Sequence, residues 1–147
     1  MTHTWKAGAA WADRFIRLGI TFLFLKAGWD KLIDPEAFAS SIQGYQMVPL
    51  NITVLMTWFL PWLEVWSSLA LWVNGALRKA AWLLIMLMLI LFTIAKVSAV
   101  MRGLDISCGC TSSSTPLTWW SVAENTGWIL LASLGIRLEV FLNTYSR

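Results

Sequence analysis

The fold is decided by Ala80–Val100, AAWLLIMLMLILFTIAKVSAV. This stretch holds one charged residue, Lys96, and neither proline nor glycine. Roughly 20 apolar residues are what a helix needs to cross a hydrocarbon layer about 30 Å thick. The rest of the chain agrees with a lipid environment. Apolar residues make up 58% of its 147 residues and charged residues only 13%, with a mean hydropathy of +0.65. Ordinary globular domains carry roughly a quarter charged residues, so this chain lacks the side chains to cover a water-facing surface. It reads as a single all-α integral membrane domain. Its 11 tryptophans fit that reading, because Trp concentrates at bilayer interfaces. A net charge of +3 with no basic run argues against a nucleic-acid role, and no P-loop, dinucleotide fingerprint or internal repeat is present.

Working outward toward the N-terminus, Arg78-Lys79 reads as a basic turn and Asn74-Gly75 as the end of a preceding span, Asn51–Val73. Pro61 and Glu64 interrupt that span; the proline removes a backbone donor and kinks the helix. Further back, Asp34-Pro35-Glu36 has the form of a helix start, a cap residue followed by Pro and an acid. Ala37, Phe38, Ile42 and Tyr45 would share one face of a short amphipathic helix lying on the membrane, ended by Gly44 and Pro49. Before it, residues 14–32 are long enough to span if Arg14 and Arg17 snorkel. Ala37-Phe38-Ala39 resembles a cleavage site but lies too far beyond the apolar core for processing, so the span is read as uncleaved. Trp5 and Trp11 suit a headgroup interface, and His3 reads as a tail residue in a frayed terminus.

Toward the C-terminus, Arg102, Gly103 and Asp105 close the third span. A polar loop follows, and Pro116 can seed the next helix. The fourth span, about 119–142, is diluted by Glu124, Asn125, Arg137 and Glu139, with Glu124 and Arg137 near opposite ends. The expected architecture is therefore a four-helix membrane bundle with spans at about 14–32, 51–73, 80–100 and 119–142. A short interfacial helix joins the first two spans, and a loop occupies 102–116. Lys6, Arg14, Arg17, Arg78, Lys79, Arg137 and Arg147 fall on one side, Lys31 and Arg102 on the other. By the excess of Lys and Arg in cytoplasmic flanks, both termini are predicted cytoplasmic.

The loop holds the only two cysteines, as Cys108-Gly109-Cys110. A disulfide across one residue is a small strained ring, and strained disulfides are the labile, oxidising kind. Gly109 gives the backbone the freedom that ring needs. The predicted topology puts the pair on the non-cytoplasmic side, the periplasm in a Gram-negative bacterium, where disulfides are permitted. Two thiols are too few for a tetrahedral zinc site. Four readings stand: thiol–disulfide exchange, two thiols serving as small packing residues, a permanent disulfide that would constrain little of the unfolded chain, and soft-metal binding, for instance Cu(I) by two thiolates. Arg102 either favours a thiolate or anchors the helix at the interface.

Charges inside a bilayer are costly and usually pair or function. Lys26 and Asp30 are four apart and suit a pair on one helix. Glu64, near the middle of its span, has Lys26 and Lys96 as candidate partners. Such a pair is a structural bridge or, alternatively, a polar site below the dithiol for a quinone or a proton relay. Trp62, with Trp58 and Trp66 at spacing four, is a lipid-facing stripe or a wall for quinone stacking. Glu64, Lys26, Lys96 and Trp62 are thus the candidate cofactor residues. No cofactor is fixed by the residues; quinone is the candidate.

Several stretches, in order, resemble the MauE branch of the DoxX-like membrane proteins. These are Gly28, Asp30, Lys31 and Leu32 at the end of RLGITFLFLKAGWDKL (17–32); Asp34-Pro35 with Phe38, Ile42, Tyr45 and Pro49; Leu60-Pro61-Trp62-Leu63-Glu64; and RGLDISCGC (102–110). The family often continues its C-G-C with Phe-Gly, whereas here Thr111-Ser112 follow. The resemblance implies a four-helix membrane protein tied to periplasmic thiol chemistry, with methylamine utilisation in one branch and quinones among relatives. It makes Cys108 and Cys110 the expected reactive pair. The expected partner is a periplasmic thioredoxin-like or disulfide-rich protein, alongside membrane lipid and a larger membrane complex. The competing functions are a non-enzymatic assembly scaffold and a soft-metal-binding membrane protein. Fold-level kinship alone does not fix the reaction.

Overall fold

A computed structural model describes residues 2–104 and 117–144. Residues 105–116, and with them Cys108 and Cys110, lie outside the described residues. Every element among the described residues is helical: α1 (Thr2–Ile33), α2 (Pro35–Gly44), α3 (Leu50–Ala70), α4 (Ala76–Met101) and α5 (Trp119–Thr144). Three of these are long and apolar enough to cross a membrane: Leu50–Ala70, Ala76–Met101 and Trp119–Leu142. The chain is an all-α, multi-pass membrane protein. At 1.5 Å per residue, the 21 residues of α3 extend about 31 Å, one hydrocarbon thickness.

The four long helices pack in the ring order α1–α3–α4–α5, each against two neighbours. Successive contacts run in opposite directions along facing helices. Thr21 meets Ser68 and Trp72 while Lys31, further along α1, meets Glu64. Asn125 of α5 reaches Leu89 and Thr93 of α4, and Lys96 reaches back to Ser121. The dry centre is built from Ile20 and Phe24 of α1, Leu71, Trp82, Ile85 and Met88, and Ala132 of α5. Large apolar side chains also cover the outside: Phe15, Leu18 and Phe22 of α1, Leu55 and Phe59 of α3, and Leu83, Leu87 and Leu91 of α4 are all exposed. An apolar exterior around an apolar core is what a hydrocarbon solvent selects.

The helix boundaries refine the sequence reading. The backbone of α1 is already helical from Thr2, where a frayed end was expected. α4 begins at Ala76, so Arg78 and Lys79 lie in its first turns and not in a separate turn. Arg78 Nε donates to the carbonyls of Leu71 and Val73, both at 3.1 Å, and so ties down the end of α3. α3 itself ends at Ala70, three residues before the expected Val73. Arg17 does not snorkel. It is buried, ion-paired with Asp13 one turn earlier, and its guanidinium lies 5.4 Å from the Trp72 ring centroid. Arg14 does face outward, over Trp11 at 5.3 Å.

α2 forms as its sequence suggests. Asp34 caps it, accepting from the Ala37 N–H at 2.9 Å, and Pro35 occupies the first turn. Such a cap satisfies one of the amides that a helix N-terminus leaves open. Phe38 and Ile42 are buried and Tyr45 is half-buried, but Ala37 faces out. α2 packs on α1 and α3 at the end of the molecule where α1 finishes and α3 starts.

Candidate functional site

The site is built where α1 and α3 come closest. A Cβ added at Gly28 would stand 2.9 Å from Val65 Cγ2, 3.0 Å from the Pro61 carbonyl oxygen and 3.4 Å from Glu64 Cβ. No side chain larger than hydrogen fits there without moving backbone. Gly28 therefore sets the approach of the two helices, as small residues do at membrane helix contacts. One turn beyond it on the same face is Lys31, and three residues beyond Pro61 is Glu64.

Lys31 Nζ donates to Glu64 Oε1 at 2.5 Å. Both side chains are almost fully enclosed, 5% and 1% exposed. The ammonium also lies 5.2 Å from the ring centroid of Phe38 and 5.3 Å from that of Phe92. Four helices thus contribute: the cation comes from α1, the anion from α3, and one aromatic face each from α2 and α4. Aromatic rings attract a desolvated cation, and a buried charge is tolerated only when paired. The arrangement is a neutral, water-excluding ion pair just inside one end of the bundle.

Around it the α4–α5 interface carries further polar groups. Lys96 is buried and its Nζ donates to the Ser121 carbonyl at 3.4 Å. Asn125 Nδ2 donates to the Leu89 carbonyl at 2.9 Å and to Thr93 Oγ1 at 2.6 Å. At the rim above, Arg102 Nη1 donates to the Tyr45 carbonyl at 3.0 Å and Nη2 to Gln46 Oε1 at 3.2 Å. This joins the end of α4 to the α2–α3 connection, where Gln46 takes a left-handed φ of 52°.

Of the four candidate cofactor residues, the structure brings Glu64 and Lys96 into the interior and leaves two outside. Lys26, with its side chain half exposed, pairs with Asp30 at 2.8 Å. Trp62 is 50% exposed on the outer face of α3, in line with the exposed Trp58 and Trp66. Glu64 has a close ion-pair partner in Lys31, a residue that the sequence reading set at the outer end of the first span and counted with its flank, beside Asp30, Asp34 and Glu36. A signal for it was present: Lys31 follows Gly28 by three, so a helix that buries the glycine buries the lysine.

Both described ends of the segment that holds the cysteines sit at this same rim. Leu104 N donates to the Ala99 carbonyl at the end of α4, and Thr118 is bonded to Ser121 at the start of α5. With these positions established, comparison with known proteins finds one family model, described as methylamine utilisation protein MauE, that matches residues 9–138. The match takes in the Lys31–Glu64 pair, the α4–α5 polar cluster and the cysteine segment. No curated protein and no solved structure matches the chain.

Proposed function

We propose, from the premise that this chain belongs to the MauE family, that it is a membrane thiol–disulfide redox protein whose reacting groups are Cys108 and Cys110. The observation that carries this reading is the antiparallel α4–α5 pair. Lys96 reaches Ser121 and Arg102 ties the end of α4 to Tyr45 and Gln46. The described residues on either side of the segment bearing both thiols, Leu104 and Leu117, therefore lie at one rim, which supports the reading.

In this proposal α1 is the fourth span. Its outward residues Phe15, Leu18, Phe22, Trp29 and Ile33 are apolar, three of its charges, Asp13, Arg17 and Lys31, are turned inward, and Lys26, which is half exposed, is paired with Asp30. Four crossings put both termini on one side. With Arg17 and Lys31 used internally, Arg14, Lys79 and Arg137 still favour the terminal side as the cytoplasmic one. The dithiol then faces an oxidising compartment, the periplasm of a bacterium.

The chemistry is exchange through a mixed disulfide. The thiolate of one cysteine attacks a sulfur of a partner's disulfide. That S–S bond breaks, and the departing thiolate takes up a proton. The other cysteine then attacks the mixed disulfide and loses its own proton. Cys108 and Cys110 end joined, the partner ends as a dithiol, and two electrons have passed to it. A membrane carrier, a quinol or a second membrane thiol protein, returns two electrons and two protons. A partner that arrives as a dithiol runs the same steps in reverse: it leaves as a disulfide, and the carrier, then a quinone or a membrane disulfide, takes up the two electrons and two protons. The Lys31–Glu64 pair and Lys96 provide the polar interior below the rim in which a carrier headgroup would exchange protons.

The test is to express Cys108→Ser and Cys110→Ser variants and quench with acid and an alkylating reagent. One variant, having lost its resolving thiol, is expected to accumulate a reducible mixed disulfide with a non-cytoplasmic protein. Absence of any such adduct in both, together with a double serine variant that functions like wild type, would leave the chain as an assembly scaffold and refute the exchange.

A further inference from the structure

We infer that the outer end of α4 carries a binding site for an anionic phospholipid, with one acyl chain along the helix and the phosphate on Arg102. This does not depend on the thiol chemistry. It follows from a groove of about 470 Å³ lined by Thr93, Ile94, Val97, Ser98, Met101 and Arg102. These positions are adjacent pairs that repeat every four residues, so they form one stripe along the helix, about 13 Å long at 1.5 Å per residue. Ile94 and Met101 are exposed and form apolar walls. The Thr93 hydroxyl is turned away from the groove's needs, since it donates to the Leu89 carbonyl at 2.7 Å and accepts from Asn125. The slot is greasy along its length and cationic at one end.

Arg102 supplies the specificity. Arg17, Lys26 and Lys31 each have a carboxylate partner. Among the described residues Arg102 has none. Its two hydrogen bonds go to neutral acceptors, the Tyr45 carbonyl and the Gln46 amide oxygen. These hold the guanidinium in place without neutralising it. The backbone amides of Arg102, Gly103 and Leu104 already occupy the carbonyls of Ser98, Val100 and Ala99, so the helix end presents the guanidinium and not bare carbonyls. Arg102 caps a helix long enough to span, which puts its charge at headgroup level. A guanidinium held there by neutral acceptors, with no carboxylate partner among the described residues, matches a phosphate diester, which accepts its N–H groups. A neutral-headed lipid would fill the slot but leave the charge without its anion.

The experiment uses the full chain reconstituted in phosphatidylcholine vesicles containing about one-fifth phosphatidylglycerol, gentle extraction, and native mass spectrometry of the lipid that stays bound. Wild type is expected to retain phosphatidylglycerol with about a fivefold preference over its share of the bilayer, the factor that corresponds to about 1 kcal/mol per basic residue at an anionic surface. Arg102→Gln should abolish the preference. Arg102→Lys should keep most of it, and Gln46→Ala should keep it too, because the charge remains when one support is removed. Val97→Phe, which fills the slot, should lower retention of both lipids. Retention by wild type in proportion to the bilayer composition would overturn the proposal. So would a preference that survives in Arg102→Gln.

Discussion

Replacing Lys31 by methionine removes the ammonium and keeps the length of the side chain. Glu64 is then left as a carboxylate that is 1% exposed, and the two aromatic contacts with Phe38 and Phe92 lose their cation. Removing one member of a buried ion pair costs about 3–5 kcal/mol, because the other charge loses its close counter-ion. The aromatic contacts add about 1–2 kcal/mol more. For a chain of this size each kcal/mol moves the unfolding midpoint by a few degrees, so a drop on the order of 10 °C is expected. Glu64→Leu should cost a similar amount by stranding the lysine. The combination Lys31→Met with Glu64→Leu replaces both charges by apolar groups of like size, and such replacements are often neutral or better. The double variant should therefore lie nearer to wild type than either single one. The assay is intrinsic tryptophan fluorescence during heating in one detergent at one scan rate, since membrane proteins unfold irreversibly and only matched scans compare. If the two single losses simply add in the double variant, the two residues do not act as a pair, and the electrostatic account of the α1–α3 contact is refuted.

Two further outcomes follow from the packing. Gly28→Ala must push Val65 or the Pro61 carbonyl, at 2.9 and 3.0 Å, and should destabilise by about 1–3 kcal/mol as overpacking does; Gly127→Ala, with open space around it, should be close to neutral in the same heating assay. Gly135→Ala would place a methyl 2.5 Å from the Trp82 ring and should destabilise by a similar amount, with most of the loss recovered when Trp82 is shortened to leucine in the same chain.

The apolar spans were legible because their lipid-facing and core-facing residues are both apolar, so composition alone carries the signal. α1 was harder for the same reason in reverse. Asp13, Arg17 and Lys31 count as charges in any window along the sequence, yet all three are buried and paired. Hydropathy cannot distinguish a charge turned inward from one turned toward lipid. The Asp34 cap and the Phe38–Ile42 face of α2 depend on contacts within one helix, and the sequence carried both. The Lys31–Glu64 pair spans 33 positions and depends on how two helices meet, which is set by Gly28 against Pro61. Lys26, closer in number to the expected bilayer centre, was the more obvious partner for Glu64, but it lies on the opposite side of α1 with Asp30. The Arg102 contact with Tyr45 and Gln46 was more remote still in sequence, at 57 and 56 positions.

On the proposed function, four helices carry a reactive dithiol on the face opposite both termini. The test applies a membrane-impermeant thiol reagent to sealed right-side-out membranes after mild reduction, with Lys79→Cys, near the start of α4, as the control for the side of the termini. Cys108 and Cys110 are expected to be labelled at once, while the residue introduced at position 79 is labelled only after permeabilisation. Labelling of Cys108 and Cys110 only after permeabilisation would contradict it.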